Sequence, residues 1–268
     1  MVNYRWIMCR FLLNRITKED KFFHGSYTLD PYQKCDLGCW YCDASEDTVY
    51  IKSNASEVLQ GEITWFSKGT IIVGSTVDPY QRIERKQRMM PDILKLLIEH
   101  KFPFHILTKS DLVLRDINVI GESEDAYVTV SVSTMDEEKA KMIEPFAPSP
   151  EKRFKTLEQL MNQGVSAGVA VMPILPFITE ESLGYMMEKA KDVGAEYIIY
   201  GYLELKGEQR KRFLSTLETH FPEYVNKYEV LYSASYTPVG YQIDDQLETY
   251  CKNYKLNIGF RKQTCRRN

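Results

Sequence analysis

Long apolar runs are missing from this 268-residue chain: nowhere do about 18 consecutive apolar residues occur, the length a membrane-spanning helix needs. Residues 1–14 mix Arg5 and Arg10 with Trp6, Ile7 and Phe11 and contain no small-residue cleavage site, so they do not read as a secretory leader. A cytoplasmic location with no membrane partner is the expectation. An excess of positive charge is also lacking: 34 Lys and Arg face 37 Asp and Glu, a net −3, which excludes a global electrostatic attraction to nucleic acid. Local basic runs remain, with Arg82, Arg85, Lys86 and Arg88 in one place and Arg261, Lys262, Arg266 and Arg267 in the tail. A solvated charged face is the plain reading of each, and contact with phosphates the other. His24, His100, His105 and His220 are scattered, with no i, i+4 metal pair and no Ser or Cys partner, and no phosphate-cradling glycine loop occurs. Triad hydrolysis and P-loop chemistry are unsupported.

Cysteine is scarce too, with 6 in the chain, too few for a disulfide scaffold. Their placement is uneven. Cys35, Cys39 and Cys42 stand in a C-x3-C-x2-C loop, too close together to pair with one another, which favours a metal site in a reducing compartment. Three thiolates on one short loop can hold three corners of a cubane iron–sulfur cluster and leave the fourth iron open to a substrate-like ligand. Structural zinc is the competing reading, but it wants a fourth Cys or His nearby, and only His24 is at all close. Cys9, Cys251 and Cys265 fit no compact ligand loop and read as buried or incidental thiols, with Cys265 near the tail the one candidate for reactivity.

Around the cysteines, short β-branched runs alternate with amphipathic segments at a period of roughly 30 residues, the size of a β-α unit. Strands are expected at 27–29, 70–76, 103–108, 127–133, 166–173 and 196–202, and helices at 55–66, 90–101, 111–121, 150–163, 180–193 and 208–220. Ser149 before Pro150 and Thr179 before Glu180 read as N-caps, and Gly164 and Gly194 as helix stops. Such alternation implies a parallel sheet, closed toward a barrel or doubly wound, with functional residues at the C-terminal ends of its strands. About six units fit before residue 220. A helix-like stretch at 242–254 and an apolar run at 256–260 follow.

The C-x3-C-x2-C loop with aromatic Tyr41 just before its last cysteine resembles the signature of the radical S-adenosylmethionine (SAM) superfamily. The resemblance implies an α/β fold, a partial (β/α)6 barrel at 25–220 with an N-terminal extension at 1–24 and a small C-terminal cap at 221–268. It also implies a 4Fe-4S cluster on Cys35, Cys39 and Cys42. SAM would chelate the open iron and be cleaved reductively to a 5′-deoxyadenosyl radical that abstracts hydrogen from a substrate. A flavodoxin- or ferredoxin-type electron donor would then be a partner. Further segments are similar to the spore photoproduct lyase-like, or DNA-repair-photolyase-like, group. They are Asp30-Pro31-Tyr32, the stretch from Gly74 to Glu84, Leu107-Thr108-Lys109-Ser110, Leu114-Arg115-Asp116, Ser131-Val132-Ser133-Thr134, and the stretch from Glu144 to Arg153.

Carried over residue by residue, that likeness places Tyr41 at the adenine and Lys109 at the SAM carboxylate. It places Ser131 and Ser133 at the ribose, and the turn from Gly74 through Ser75 to Asp78 at the methionine amino group. An ammonium suits a carboxylate and hydroxyls suit ribose oxygens. Two positions depart from the lyase: Ser75 stands where it carries a cysteine hydrogen donor, and Asp43 where it carries a tyrosine. A hydroxyl is a far poorer hydrogen-atom donor than a thiol, so thymine-dimer repair by the lyase's route is not predicted. A nucleic-acid base and a peptide residue both stay open as substrates. The competing function is a cluster- and SAM-binding sensor without turnover.

Overall fold

The structure, a computed structural model, describes residues 2–260. The chain begins with β1 (Asn3–Ile7), β2 (Leu13–Arg15), β3 (Tyr27–Leu29), β4 (Tyr32–Gln33) and β5 (Thr48–Lys52), then helix α1 (Ala55–Glu62). Strands and helices alternate from there: β6 (Ile71–Val73), α2 (Glu84–Gln87), α3 (Met90–Glu99), β7 (Phe104–Thr108), α4 (Ile117–Gly121) and β8 (Ala126–Ser131). Next come α5 (Glu137–Ile143), α6 (Pro150–Asn162), β9 (Ser166–Ile174), α7 (Leu183–Asp192), β10 (Ile198–Tyr202) and α8 (Gly207–His220). Two further helices, α9 (Val225–Leu231) and α10 (Asp244–Tyr254), close the described chain.

The main sheet has seven strands in the order β10-β9-β8-β7-β6-β3-β2. All neighbours are parallel except β2, which runs antiparallel along the edge of β3. Because each parallel strand lies beside its predecessor in sequence, the sheet winds one way, as a partial barrel does, and not outward from the middle as in a doubly wound fold. The six expected strands are these six parallel ones. A second, three-stranded sheet, β1-β5-β4, is built from segments the sequence pattern does not mark.

Parallel strands covered on both faces should be apolar throughout, and every residue of β6 and β8 is buried. One face packs on helices such as α3, whose Met90, Ile93, Leu94 and Leu97 repeat at helical spacing and are all buried. The other face lines the barrel interior, where Phe23, Tyr127, Tyr197 and Phe260 surround His105; its ring lies 4.1 Å from that of Phe23 and 4.7 Å from that of Phe260. This aromatic filling leaves the opposite end, where the strands terminate, for a site.

Ser149 caps α6 as its sequence suggests, its hydroxyl accepting from the Lys152 N–H at 3.4 Å, and Gly164 and Gly194 follow their helices at positive φ. Thr179 does not cap. Its buried hydroxyl instead donates to the Ser133 carbonyl at 2.7 Å and accepts from the Leu175 N–H at 2.9 Å, tying two loops together. The C-terminal segment runs along the edge of β10, where Ile258 bridges to Ile198. Among the described residues no helix is long and apolar enough to cross a membrane.

Candidate active site

β3 ends at Leu29 and the chain turns through Asp30 and Pro31 into β4, which carries the cysteine loop to the C-terminal ends of the barrel strands. The loop is held from several sides. The Cys35 N–H donates to the Ala44 carbonyl at 2.8 Å, and the Cys42 N–H to the Cys39 carbonyl at 3.1 Å. Asp36, buried, accepts from the Arg82 N–H at 2.7 Å, the Ile83 N–H at 2.9 Å and the Tyr4 hydroxyl at 3.0 Å, which joins the loop to the small sheet and to the start of α2. From α8, Arg212 donates to the carbonyls of Cys42, at 2.8 Å, and Ser45, and Gln209 donates to that of Tyr41. Gly38, at φ +68°, brings the backbone against Phe146, and a Cβ there would sit 2.8 Å from its ring.

Beneath the loop lies a cavity of about 140 Å³ lined by Cys35, Cys39 and Cys42, by the turn Gly74-Ser75-Thr76-Val77-Asp78, and by Lys109 and Ser131 at the ends of β7 and β8. Five of the expected SAM contacts therefore meet the three expected cluster ligands: Gly74, Ser75, Asp78, Lys109 and Ser131. Tyr41 and Ser133 do not line this cavity; their hydroxyls meet behind it, at the buried carboxylate of Glu144.

The turn can approach this closely because Gly74 has φ +89°; a Cβ would lie 2.7 Å from the Leu107 carbonyl oxygen and 2.4 Å from Pro79 Cδ. Asp30 holds its far side, accepting from the hydroxyls of Ser75 at 3.1 Å and Thr76 at 2.8 Å. Asp78 turns its carboxylate inward and accepts from the Thr108 hydroxyl at 2.7 Å, the Tyr80 N–H at 2.9 Å and the Lys109 N–H at 2.7 Å. Ser131 donates to the Met172 carbonyl at 2.8 Å and keeps its oxygen free to accept.

The electrostatics suit anionic guests and a cationic centre. Burial pushes the Cys35 thiol well above its ordinary value and the Cys39 thiol up to about 12, with Lys109 the main opposing influence on Cys39. Burial also works against the Lys109 ammonium, but Cys39 and Glu144 outweigh it, and Lys109 stays a cation. Two buried thiols with raised values are poor thiolates alone; positively charged iron would stabilise them in the form that ligates. Among the described residues no three His, Cys, Asp or Glu side chains converge as a single metal ion requires. Three thiols spread around a cavity fit a cubane, which takes one thiolate per iron, better than one tetrahedral ion. The residues present thus fit a cluster.

Glu144 and Arg153 form an ion pair with both side chains about 1% exposed. Arg153 also donates to the Ser131 carbonyl at 3.1 Å and the Pro148 carbonyl at 2.8 Å, and Glu144 accepts from Tyr41 and, at 3.1 Å, from Ser133. The pair therefore fastens the cysteine loop to the end of β8. Both residues lie in the sequence stretch similar to the lyase-like group, yet sequence alone gave them no role. Asp30, Asp36, Gln209 and Arg212 were likewise unassigned, the last two with no local pattern to mark them. Cys251 is buried on α10, its sulfur 3.8 Å from that of Met187, and Cys9 sits where Asn54 bonds its backbone; Cys265 and the basic tail lie outside the described residues.

The chain belongs to the radical SAM superfamily, whose family model matches residues 29–190, and it is an enzyme of that class. Among proteins similar to it, an uncharacterized protein of Mycobacterium tuberculosis is 28% identical over 264 residues, covering 90% of this chain and 77% of that one. Another, from Methanocaldococcus jannaschii, is 28% identical over 239 residues, covering 85% and 87%. Spore photoproduct lyase complexed with dinucleoside spore photoproduct shares the fold at TM-score 0.72 and 13% identity, covering 96% of this chain and 82% of that chain. Streptococcus suis SuiB bound to S-adenosylmethionine does so at 0.55 and 15%, covering 89% and 50%.

Proposed function

We propose that Cys35, Cys39 and Cys42 hold a 4Fe-4S cluster and that the adjoining cavity receives SAM, for hydrogen abstraction from a nucleobase or peptide C–H. The observation that carries this reading is the convergence of the three thiols with Gly74, Ser75, Lys109 and Ser131 on one cavity. When bound, cluster and SAM together supply reductive cleavage to a 5′-deoxyadenosyl radical.

The chain's own residues bind and orient. Lys109, held cationic, is placed to neutralise the SAM carboxylate, and the Ser131 oxygen to accept from a ribose hydroxyl. The turn that carries Ser75 and Thr76, both exposed, would receive the methionine amino group. Tyr41 is held by Glu144 behind this cavity, and the aromatic cluster around His105 fills the barrel below.

Anaerobic reconstitution followed by assay of 5′-deoxyadenosine from SAM and dithionite tests this, comparing wild type with Cys35→Ala, Cys39→Ala and Cys42→Ala. Product from wild type alone is expected. A cluster-loaded wild type that binds SAM and yields none, even with cell extract as substrate source, would point to the sensing function. Deuterium transfer into deoxyadenosine from labelled oligonucleotides or labelled peptides then separates the two substrate classes.

A further inference from the structure

The cysteine loop has a second face. A groove of about 1620 Å³ shares Cys35, Leu37, Cys39 and Ser45 with the inner cavity, so the loop is the partition between the two. Large apolar side chains stand in the open on the groove side: Trp40 is 39% exposed and Phe146 50%. The Arg82 guanidinium lies 4.8 Å from the centre of the Phe146 ring, and Arg85 and Lys86 follow on α2, both exposed. None of these three cations is ion-paired with a described carboxylate, whereas the groove's Glu46 and Asp111 are neutralised by Lys34 at 2.5 Å and Lys152 at 2.7 Å. The chain as a whole is acidic, at −3, so this unpaired positive patch is local.

We propose that this groove docks an acidic one-electron carrier of the flavodoxin or ferredoxin type, with Trp40 and Phe146 as the apolar contact and Arg82, Arg85 and Lys86 as the charged rim. The inference rests on the cluster-binding reading above. Such a carrier presents an anionic reduced cofactor in an acidic surface, and the patch offers the complementary sign next to the exposed aromatics typical of interfaces. The carrier is oxidised by one electron and the cluster is reduced by one; no bond or proton changes hands. A nucleic acid fits the groove less well. A substrate C–H must face the cavity with Lys109 and Ser131, on the other side of the loop.

The test uses the reconstituted holoenzyme, a purified bacterial flavodoxin with its reductase and NADPH, and an Arg85→Glu/Lys86→Glu variant whose iron content reports intact loading. Calorimetry is expected to show binding of the flavodoxin to wild type that weakens with added salt, and roughly tenfold weaker binding to the variant. Flavodoxin-driven deoxyadenosine formation at subsaturating carrier should fall by a similar factor while dithionite-driven formation is retained. Equal flavodoxin affinity and equal flavodoxin-driven rate in both proteins would overturn the proposal, as would no flavodoxin binding to wild type. Loss in the variant of binding to a 20-mer single-stranded DNA, with flavodoxin binding kept, would overturn it in favour of nucleic acid. A wild type inactive even with dithionite would instead strike at the cluster and SAM reading.

Discussion

Replacing Arg153 by Met tests whether the buried ion pair is what fixes the cysteine loop. The change keeps apolar volume while removing three donated hydrogen bonds, to Glu144, the Ser131 carbonyl and the Pro148 carbonyl, and leaves the Glu144 carboxylate buried. Removing one partner of a buried pair costs about 3–5 kcal/mol. The lower end is expected, about 3 kcal/mol, because Glu144 keeps the hydroxyls of Tyr41 and Ser133 and the nearby Lys109 charge. In the wild type, burial pushes the Glu144 carboxyl up, but Arg153 and then Lys109 outweigh it and hold it below its ordinary value. That depressed value contributes stability above the unfolded carboxyl range and loses it as pH falls through the folded value. Without Arg153, burial gains the upper hand and the value rises, so the variant recovers as Glu144 protonates. The gap between the two apoproteins should therefore narrow from pH 7.5 to 5.5. Anaerobic urea titrations at both pH values measure it. A loss below about 1 kcal/mol, or a gap that widens on acidification, would refute the reasoning. Adding Glu144→Gln, which removes the charge and keeps an acceptor for Tyr41, should restore about 1–2 kcal/mol.

Lys109→Met should weaken SAM binding to the reconstituted protein by about ten- to a hundredfold, the worth of one charge-assisted hydrogen bond, as read by calorimetry, with iron content unchanged. Gly74→Ala must resolve contacts at 2.4 and 2.7 Å from a φ of +89°, so it should cost about 2 kcal/mol or more in urea titrations and lower SAM affinity through the displaced turn. His105, buried and bonded to Thr129, has its value lowered by burial from 6.5 to about 3, so the folded state resists protonation that the unfolded chain accepts. The stability it contributes is present above pH 6.5 and is lost on acidification, by about 1.4 kcal/mol between pH 7.5 and 5.5. His105→Asn should remove that share of the acid slope, and an unchanged slope would show the ring to be hydrated.

The parallel strands were legible because buried parallel sheet demands continuous β-branched runs, and TIIVGST and YVTVSVS are such runs. The small sheet was not, since β4 has two residues and β1 mixes Arg5 with Trp6, so pairing partners decide those elements. Cys35, Cys39 and Cys42 could be read from spacing alone, as neighbours on one loop. Which of Tyr41, Ser131 and Ser133 face the cavity could not. On an extended run Ser131 and Ser133 point to the same side, yet the first lines the cavity and the second bonds to Glu144, because the chain has left β8 by then. Thr179 failed as a cap for a related reason: a hydroxyl close to two carboxyl-terminal loops found better partners there than at its own helix.

What holds the site is a chain of carboxylates that each fasten one strand-end loop to another. Asp30 reaches from the β3 loop to Ser75 and Thr76 after β6, and Asp36 reaches from the cysteine loop to Arg82 and Ile83. Asp78 passes from the β6 loop to Thr108 and Lys109 at the end of β7, and Glu84 from α2 to Arg115 at 2.6 Å. Glu144, after β8, returns to Tyr41. Loops exposed to ligands cannot be fixed by core packing without filling the cavity. Charge-assisted bonds to backbone N–H groups and hydroxyls fix them from behind instead, and leave the cavity-facing surface free. Most of these carboxylates fall in the segments that carry the family resemblance. On this argument those segments are shared because the geometry of the strand-end loops depends on them, even where a single residue such as Ser75 departs from the lyase.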